Sequence, residues 1–339
     1  MDTNIIRIVH IGAGNHSLNK SIAYKSLIRR CLKRSSTFEQ SIEIIEASKL
    51  TNTGYGSSLN LVGQVECDAS FIVIDDNGGR SQGSLTGIDV GLPGLVTMKV
   101  YDKINDLYKD DHNGLSKPLN MHYGSCPSFL KDDDDGTLIS PESQHIYDIH
   151  KDRIFNDSGK LQEVNDTIGI IEVNQTTTKI VTSSGGSFFK LPGRIGCAGI
   201  IGCAIDSTTI NDIEISCMCS GNGEDIIMMN LAHYLVNNIM DCNQDEEGYG
   251  SFVINLIQTH GQRFQSHAIN DDNESIIYVG VILFINHKHT DEKRLIYCHS
   301  TPSFYFGFTH NEDQVEVIQS RLNNTDKFGK IFTTGEFKL

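Results

Sequence analysis

The sequence predicts an α+β protein, a four-layer α-β-β-α sandwich in which two stacked sheets carry helices on both outer faces. Two features point there. Short apolar segments with the texture of strands occur in both halves of the chain, and helical segments with an apolar stripe flank them in each half. A length of 339 residues suffices for a large core in one domain spanning 1–339, and 38% hydrophobic against 21% charged residues reads as globular and soluble.

Residues 5–11 read as a buried strand ending in Gly12-Ala13-Gly14. That triplet lacks the full Gly-x-Gly-x-x-Gly pattern, so a tight strand-to-helix turn is expected rather than a phosphate loop. Ser17 is the expected N-cap of a helix with the stripe Ile22, Ile28, Cys31 and Leu32; a second helix carries Phe38, Ile42 and Ile45. Glycines 54, 56 and 63 mark turns, and a helix opens at Pro93. Residues 110–166 hold the acidic run Asp132–Asp135 and many Gly, Ser, Asn and Asp, which reads as a mobile linker. Strands are expected at 168–173, 179–182 and 213–219, followed by one long amphipathic helix over 224–240. Late strands fall at 276–285, 294–298 and 304–308, and no internal repeat is visible.

A formal net charge of −15 argues against broad affinity for nucleic acid or anionic membrane. The local basic group Lys20, Lys25, Arg29, Arg30, Lys33 and Arg34 reads as a solvated helix face. Nine scattered cysteines and a start unlike a secretory signal suit the cytosol or nucleus. The longest apolar runs, such as 279–285, are too short to cross a bilayer. His287-Lys288-His289 lacks further ligands at metal-binding spacing, and Cys217-Met218-Cys219 reads as core packing on one strand face. No metal or other cofactor is expected.

The candidate chemistry sits at Asn165-Asp166-Thr167-Ile168-Gly169. If the bond between Asp166 and Thr167 breaks, Thr167 gains a free α-amine beside its own hydroxyl. Nucleophile and general base then share one residue. The amine's reference pKa of about 7.7–8.0 leaves a basic fraction near neutrality. β-Branching leaves the hydroxyl few rotamers, so it is partly pre-aimed.

Asp-Thr-Ile-Gly at 166–169, Ser-Ser-Gly-Gly at 183–186, Pro-Gly-Arg-Ile-Gly at 192–196 and Cys-Ser-Gly-Asn-Gly-Glu at 219–224 together resemble the plant-type asparaginase family of N-terminal-nucleophile hydrolases. Thr51-Asn52, Leu59-Asn60-Leu61 and Glu66-Cys67-Asp68-Ala69-Ser70 resemble its taspase branch, proteases that cut after aspartate. The resemblance covers roughly 5–105 and 164–240. It implies self-cleavage into an α part (1–166) and a β part (167–339) that stay together, and pairing of two such units. It implies a protein substrate, nuclear regulators of transcription being those known for this branch. The branch's linker is longer and rich in Lys and Arg; that cluster is absent here, which puts an inherited nuclear-import signal in doubt.

Residue by residue, the resemblance makes Thr167 the nucleophile and Ser184 the hydroxyl that orients it. Arg194 grips a substrate carboxylate, for which a planar guanidinium offers two parallel donors. Ser220 and Gly221 form the oxyanion pair. Gly221 and Gly223, opening a helix, place backbone N–H groups and a positive dipole end nearby. Gly12, Lys20, Tyr24 and Asn52 match positions of substrate or active-site contact, with Lys20 and Tyr24 one turn apart on a helix. Cys197 is a departure: asparaginases and isoaspartyl peptidases carry an aspartate there, paired with the α-amine of a small substrate. A peptide bond inside a protein brings no such amine, so the cysteine argues for a protein substrate. The competing readings are an isoaspartyl peptidase/L-asparaginase and a non-catalytic member that serves as a binding module.

Overall fold

A computed structural model describes residues 5–109, 116–131, 139–151, 167–244, 246–270, 273–290, 292–311, 314–324 and 327–339. The first part of the chain forms β1 (Ile6–Gly14), α1 (Ser21–Arg34), α2 (Phe38–Glu46), β2 (Cys67–Asp75), β3 (Arg80–Ile88), α3 (Pro93–Leu107), β4 (Asn120–His122) and α4 (Pro141–His150). After Thr167 come β5 (Ile168–Val173), β6 (Thr177–Ser184), β7 (Ile205–Ile210), β8 (Ile213–Gly221), α5 (Gly223–Met229), α6 (Leu231–Asn238), α7 (Tyr249–Gly261), β9 (Val279–His287), β10 (Glu292–His299), β11 (Ser303–Asn311), β12 (Gln314–Arg321) and β13 (Thr333–Lys338).

Among the described residues the strands form two sheets, in the orders β12-β11-β1-β5-β6-β2-β3-β4 and β13-β10-β9-β8-β7. Helices α1, α2 and α3 lie on the first sheet and α5, α6 and α7 on the second. Three apolar layers glue the four: one under α1–α3 (Val9, Ile28, Ile42, Tyr101, Val181), one between the sheets (Ile8, Ile72, Ile171, Ile282, Phe304) and one under α5–α7 (Ile215, Leu235, Val253, Leu283). The α-β-β-α sandwich read from the sequence is the observed fold. Strands buried on both faces explain the near-continuous apolar runs of β1 and β9.

Several local expectations were overturned. Ser17 does not cap α1: a 3₁₀ turn at Leu18–Lys20 intervenes, and Ser17 makes no side-chain capping bond. Ile22 leaves the apolar stripe and is 85% exposed, because it sits about two residues out of phase with the buried Tyr24, Leu27, Ile28, Cys31 and Leu32. Gly12 is not in a strand-to-helix turn. β1 continues to Gly14 through a register shift between His10 and Ala13, and Gly12 takes the positive φ of 106° that the irregularity needs. The single helix over 224–240 is broken at Asn230, which adopts a left-handed conformation with φ 45° between α5 and α6. The linker expected over 110–166 contains ordered structure: β4 pairs parallel with β3, and α4 is N-capped by Ser140. The rest of that expectation, including Asp132–Asp135 and Asp166, lies outside the described residues. β7, β12, β13 and α7 had no counterpart in the sequence reading.

Among the described residues three histidines, His10, His16 and His299, are buried inside this frame. His10 lies against Phe304 with no hydrogen bond at either ring nitrogen, and burial pushes its pKa down to about 3. Burial likewise lowers His16 and His299 to about 4. An unfolded chain takes up protons at these rings from about pH 6.5 downward, whereas the fold refuses them, so stability present above that pH is lost on acidification. Each ring contributes at most about 1.4 kcal/mol per pH unit over its window. Denaturant midpoints are expected to fall between pH 7 and pH 5, and His10→Leu is expected to reduce that slope by about one proton's worth. An unchanged slope in the variant would show that His10 titrates normally in the fold.

Candidate active site

Thr167 precedes β5, and Ile168 pairs with Ser183 of β6. Continued by one residue, this antiparallel register sets Thr167 opposite Ser184. The β5–β6 hairpin therefore brings together two residues seventeen positions apart. Both are buried, at 4% and 6% exposure. The turn beyond Ser184 is held tightly: its Oγ accepts the Gly186 amide at 3.0 Å, the Asn52 carbonyl accepts the Gly185 amide at 2.7 Å, and Asn52 Nδ2 donates to the Gly186 carbonyl at 2.6 Å. Asn52 Oδ1 accepts the Ser58 amide at 2.8 Å, which ties the glycine-rich loop to the same point. A Cβ on Gly185 would come within 2.8 Å of Asn52 Oδ1, so a larger residue here would have to displace the Asn52 side chain.

Behind the turn, buried Glu46 accepts from the Gly94 amide at 2.8 Å and from Ser183 Oγ at 2.5 Å. Ser183 Oγ also lies 2.7 Å from Thr53 Oγ1. Burial raises the Glu46 carboxyl to about 7 against these hydrogen bonds.

Thr167 opens onto a cavity of about 200 Å³, lined also by Arg194, Cys197, Gly221, Glu224 and Tyr278. The Cys197 thiol is pushed up to about 12 by burial, against the neighbouring Arg194 charge and a hydrogen bond with the Thr167 side chain. It is a neutral group at any working pH. Cys197, Cys203, Cys217, Cys219 and Cys298 belong to the apolar layer under α5–α7, which bears out the core reading of Cys217 and Cys219.

Arg194 follows the Pro192-Gly193 turn, Gly193 having φ 81°. Its Nε donates to Glu224 Oε1 at 2.9 Å and its Nη2 to Glu224 Oε2 at 2.5 Å, a bidentate pair. Burial would lower the guanidinium's pKa, yet the Glu224 hydrogen bonds and charge hold it raised. Burial would raise Glu224, yet Arg194 holds it lowered. Asp68 anchors the turn after Arg194: Oδ2 accepts the Gly196 amide at 2.7 Å and Oδ1 the Gly87 amide at 3.2 Å. Burial raises the Asp68 carboxyl, with the Lys190 charge opposing. Lys190 is itself only 5% exposed, and its Nζ donates to the Glu66 carbonyl.

At the end of β8, Gly221 faces the cavity with φ 132°. Ser220 is fully buried, and its Oγ accepts the Ala13 amide at 3.0 Å. Thr167, Arg194, Cys197 and Gly221 thus share one cavity, with Ser184 and Asn52 supporting its wall.

Gly12, Lys20 and Tyr24 do not line it. Gly12 neighbours the Ala13 amide that bonds Ser220. Lys20 pairs with Glu142 at 2.5 Å, and Tyr24 is enclosed between His16 and Tyr305. One turn of helix does not suffice for a shared site here, because Lys20 belongs to the preceding 3₁₀ turn and Tyr24 faces the core. Asp68 and Glu224 were missed as site residues, although both stand inside motifs that carry the resemblance. A larger cavity, about 380 Å³ with Asp75, Glu214 and Lys293 in its wall, lies at the opposite end of β5 and holds none of the expected site residues. Among the described residues no group of three or more His, Cys, Asp or Glu is placed to hold a metal ion.

The model of the asparaginase family (Asparaginase_2) matches residues 20–265. The chain belongs to this family of N-terminal-nucleophile hydrolases. The match runs past residue 240 into α7, further than the motifs had reached. Isoaspartyl peptidase/L-asparaginase of Mus musculus is 23% identical over 265 residues, covering 73% of this chain and 76% of the relative. Isoaspartyl peptidase/L-asparaginase of Bos taurus is 25% identical over 266 residues, covering 72% and 80%.

Proposed function

We propose that this asparaginase-family chain is a self-processing threonine endopeptidase of the taspase type, which hydrolyses peptide bonds after aspartate in protein substrates. The observation that carries the reading is the neutral, buried thiol of Cys197 beside Thr167 and Arg194. In the dipeptide-cleaving members this position holds the carboxylate for a substrate α-amine. A neutral thiol offers no counter-charge to an ammonium group, and an internal peptide bond brings none.

Maturation would begin with the Thr167 hydroxyl attacking the Asp166 carbonyl carbon. The C–N bond breaks, the threonine nitrogen becomes an amine, and the resulting ester is hydrolysed by water. In the mature site the α-amine takes the hydroxyl proton as Oγ attacks the substrate carbonyl. That proton passes to the leaving amine, and water then releases the acyl group. Arg194 holds the aspartyl carboxylate, Ser184 orients the nucleophile, and the chain at Ser220–Gly221 stabilises the oxyanion. The two parts would remain associated, since β5 and β6 of the second part lie between β1 and β2 of the first.

The second reading, an isoaspartyl peptidase/L-asparaginase, is favoured by the activities for which the two relatives are named. One comparison separates the two. The mature protein is incubated with a β-aspartyl dipeptide, with L-asparagine and with a longer peptide containing an internal Asp-Gly bond. Cleavage of the longer peptide at least about 100-fold faster in kcat/KM is expected, a difference of roughly 2.7 kcal/mol in transition-state binding. Turnover of the dipeptide at an equal or higher rate would replace the endopeptidase reading by the second one.

A further inference from the structure

One of the two-donor edges of Arg194 is already occupied. Nε and Nη2, the two donors of one bidentate fork, both point at Glu224. The guanidinium has little room to turn elsewhere: a Cβ on Gly223 would fall 2.7 Å from Nη2, and one on Gly186 3.0 Å from Nη1. Arg194 thus lies in a slot walled by backbone. Its partner is different in kind. The Glu224 side chain is 43% exposed, against 19% for Arg194, and it stands in the first turn of the short helix α5. The helix has its own cap, Asn222, whose side chain accepts the Asp225 amide at 3.0 Å, so α5 does not depend on the Glu224 contact.

We propose that Glu224 is a built-in competitor for the Arg194 grip, and that a substrate carboxylate enters only by displacing it. The inference rests on the reading of Arg194 as the carboxylate-binding residue and adds a selection rule to it. A ligand that brings only a carboxylate exchanges one charge-assisted pair for a similar one and gains little. A segment of a protein substrate brings further main-chain and side-chain contacts that favour the exchange. Glu224 therefore discriminates against free small dicarboxylates by negative selection.

The test uses the full chain and succinate as probe, with binding followed by titration calorimetry at pH 7. Glu224→Gln removes the competing charge while keeping the size of the side chain and one acceptor oxygen, and is expected to tighten succinate binding about ten-fold. Glu224→Ala, which leaves nothing to bond the fork, is expected to shift in the same direction. Unchanged or weaker binding in both variants overturns the proposal, weaker binding meaning that Glu224 positions Arg194 rather than competes for it. Arg194→Ala separates this failure from that of the underlying reading. If Arg194→Ala loses succinate while the Glu224 variants gain nothing, only the competitor role falls. If Arg194→Ala binds as the parent does, the grip itself lies elsewhere and both fall.

Discussion

Thr167→Ala is expected to yield a protein that folds, stays at full length on prolonged incubation at neutral pH, and turns over no substrate. In the proposed mechanism one hydroxyl serves both reactions. Without Oγ nothing attacks the Asp166 carbonyl, and without the break at 166–167 no α-amine forms to act as base. Loss of a nucleophile in comparable acyl-transfer sites lowers kcat on the order of 10⁶-fold, and loss of the base through failed maturation adds nothing further, since the two act as a unit. Folding is expected to survive because the buried side chain contributes one methyl and one hydroxyl to a wall otherwise built by Arg194, Cys197, Gly221, Glu224 and Tyr278. Gel mobility reads the first outcome, and N-terminal sequencing of the parent reads the second: the smaller fragment of active protein should begin Thr-Ile-Gly. An active preparation severed at another bond, or still joined at 166–167, would remove the basis of the mechanism.

Gly221→Ala is expected to abolish activity by a different route. Gly221 sits at φ 132°, a conformation L side chains rarely adopt, at the end of β8. An added Cβ would meet the Tyr278 carbonyl oxygen at 2.3 Å and the Val279 Cα at 2.8 Å, both backbone atoms of the neighbouring strand segment. Neither can move without disturbing the β8–β9 pairing that places the chain at Ser220–Gly221 beside Thr167. Conformational strain alone costs about 1–3 kcal/mol. Displacing one oxyanion donor adds about 2.7–4 kcal/mol to the barrier, a rate loss on the order of 10²–10³-fold. The expected pattern is slowed self-cleavage and lost turnover with a lowered unfolding midpoint. A variant that matures and turns over at the parent's rate would show that this glycine serves neither the backbone nor the reaction.

Much of the candidate site was legible because its parts announce themselves locally. Ser-Ser-Gly-Gly and Pro-Gly-Arg mark tight turns, and the hairpin joining Thr167 to Ser184 spans only seventeen residues. Local signals misled where burial decided the matter. Lys20 and Tyr24 are close in sequence, yet one meets Glu142 and the other an aromatic cluster. The Glu224–Met240 stretch has a continuous helical pattern, yet the chain breaks at the left-handed Asn230, beyond which the Ala232 amide donates to the Cys203 carbonyl.

What the sequence alone determined is the set of groups available: a threonine at 167, an arginine after a Pro-Gly turn, and a cysteine at 197. Apolar strand runs and helical stripes in both halves also pointed to the layer architecture, because a strand that is apolar throughout must be covered on both faces. Tertiary structure decided the pairings. Asp68 reaches the Gly196 amide across 128 positions of chain, and Glu224 rather than solvent fills the Arg194 fork. Such contacts depend on the register of strands and on which charges burial forces together, and neither is written in any local stretch of residues.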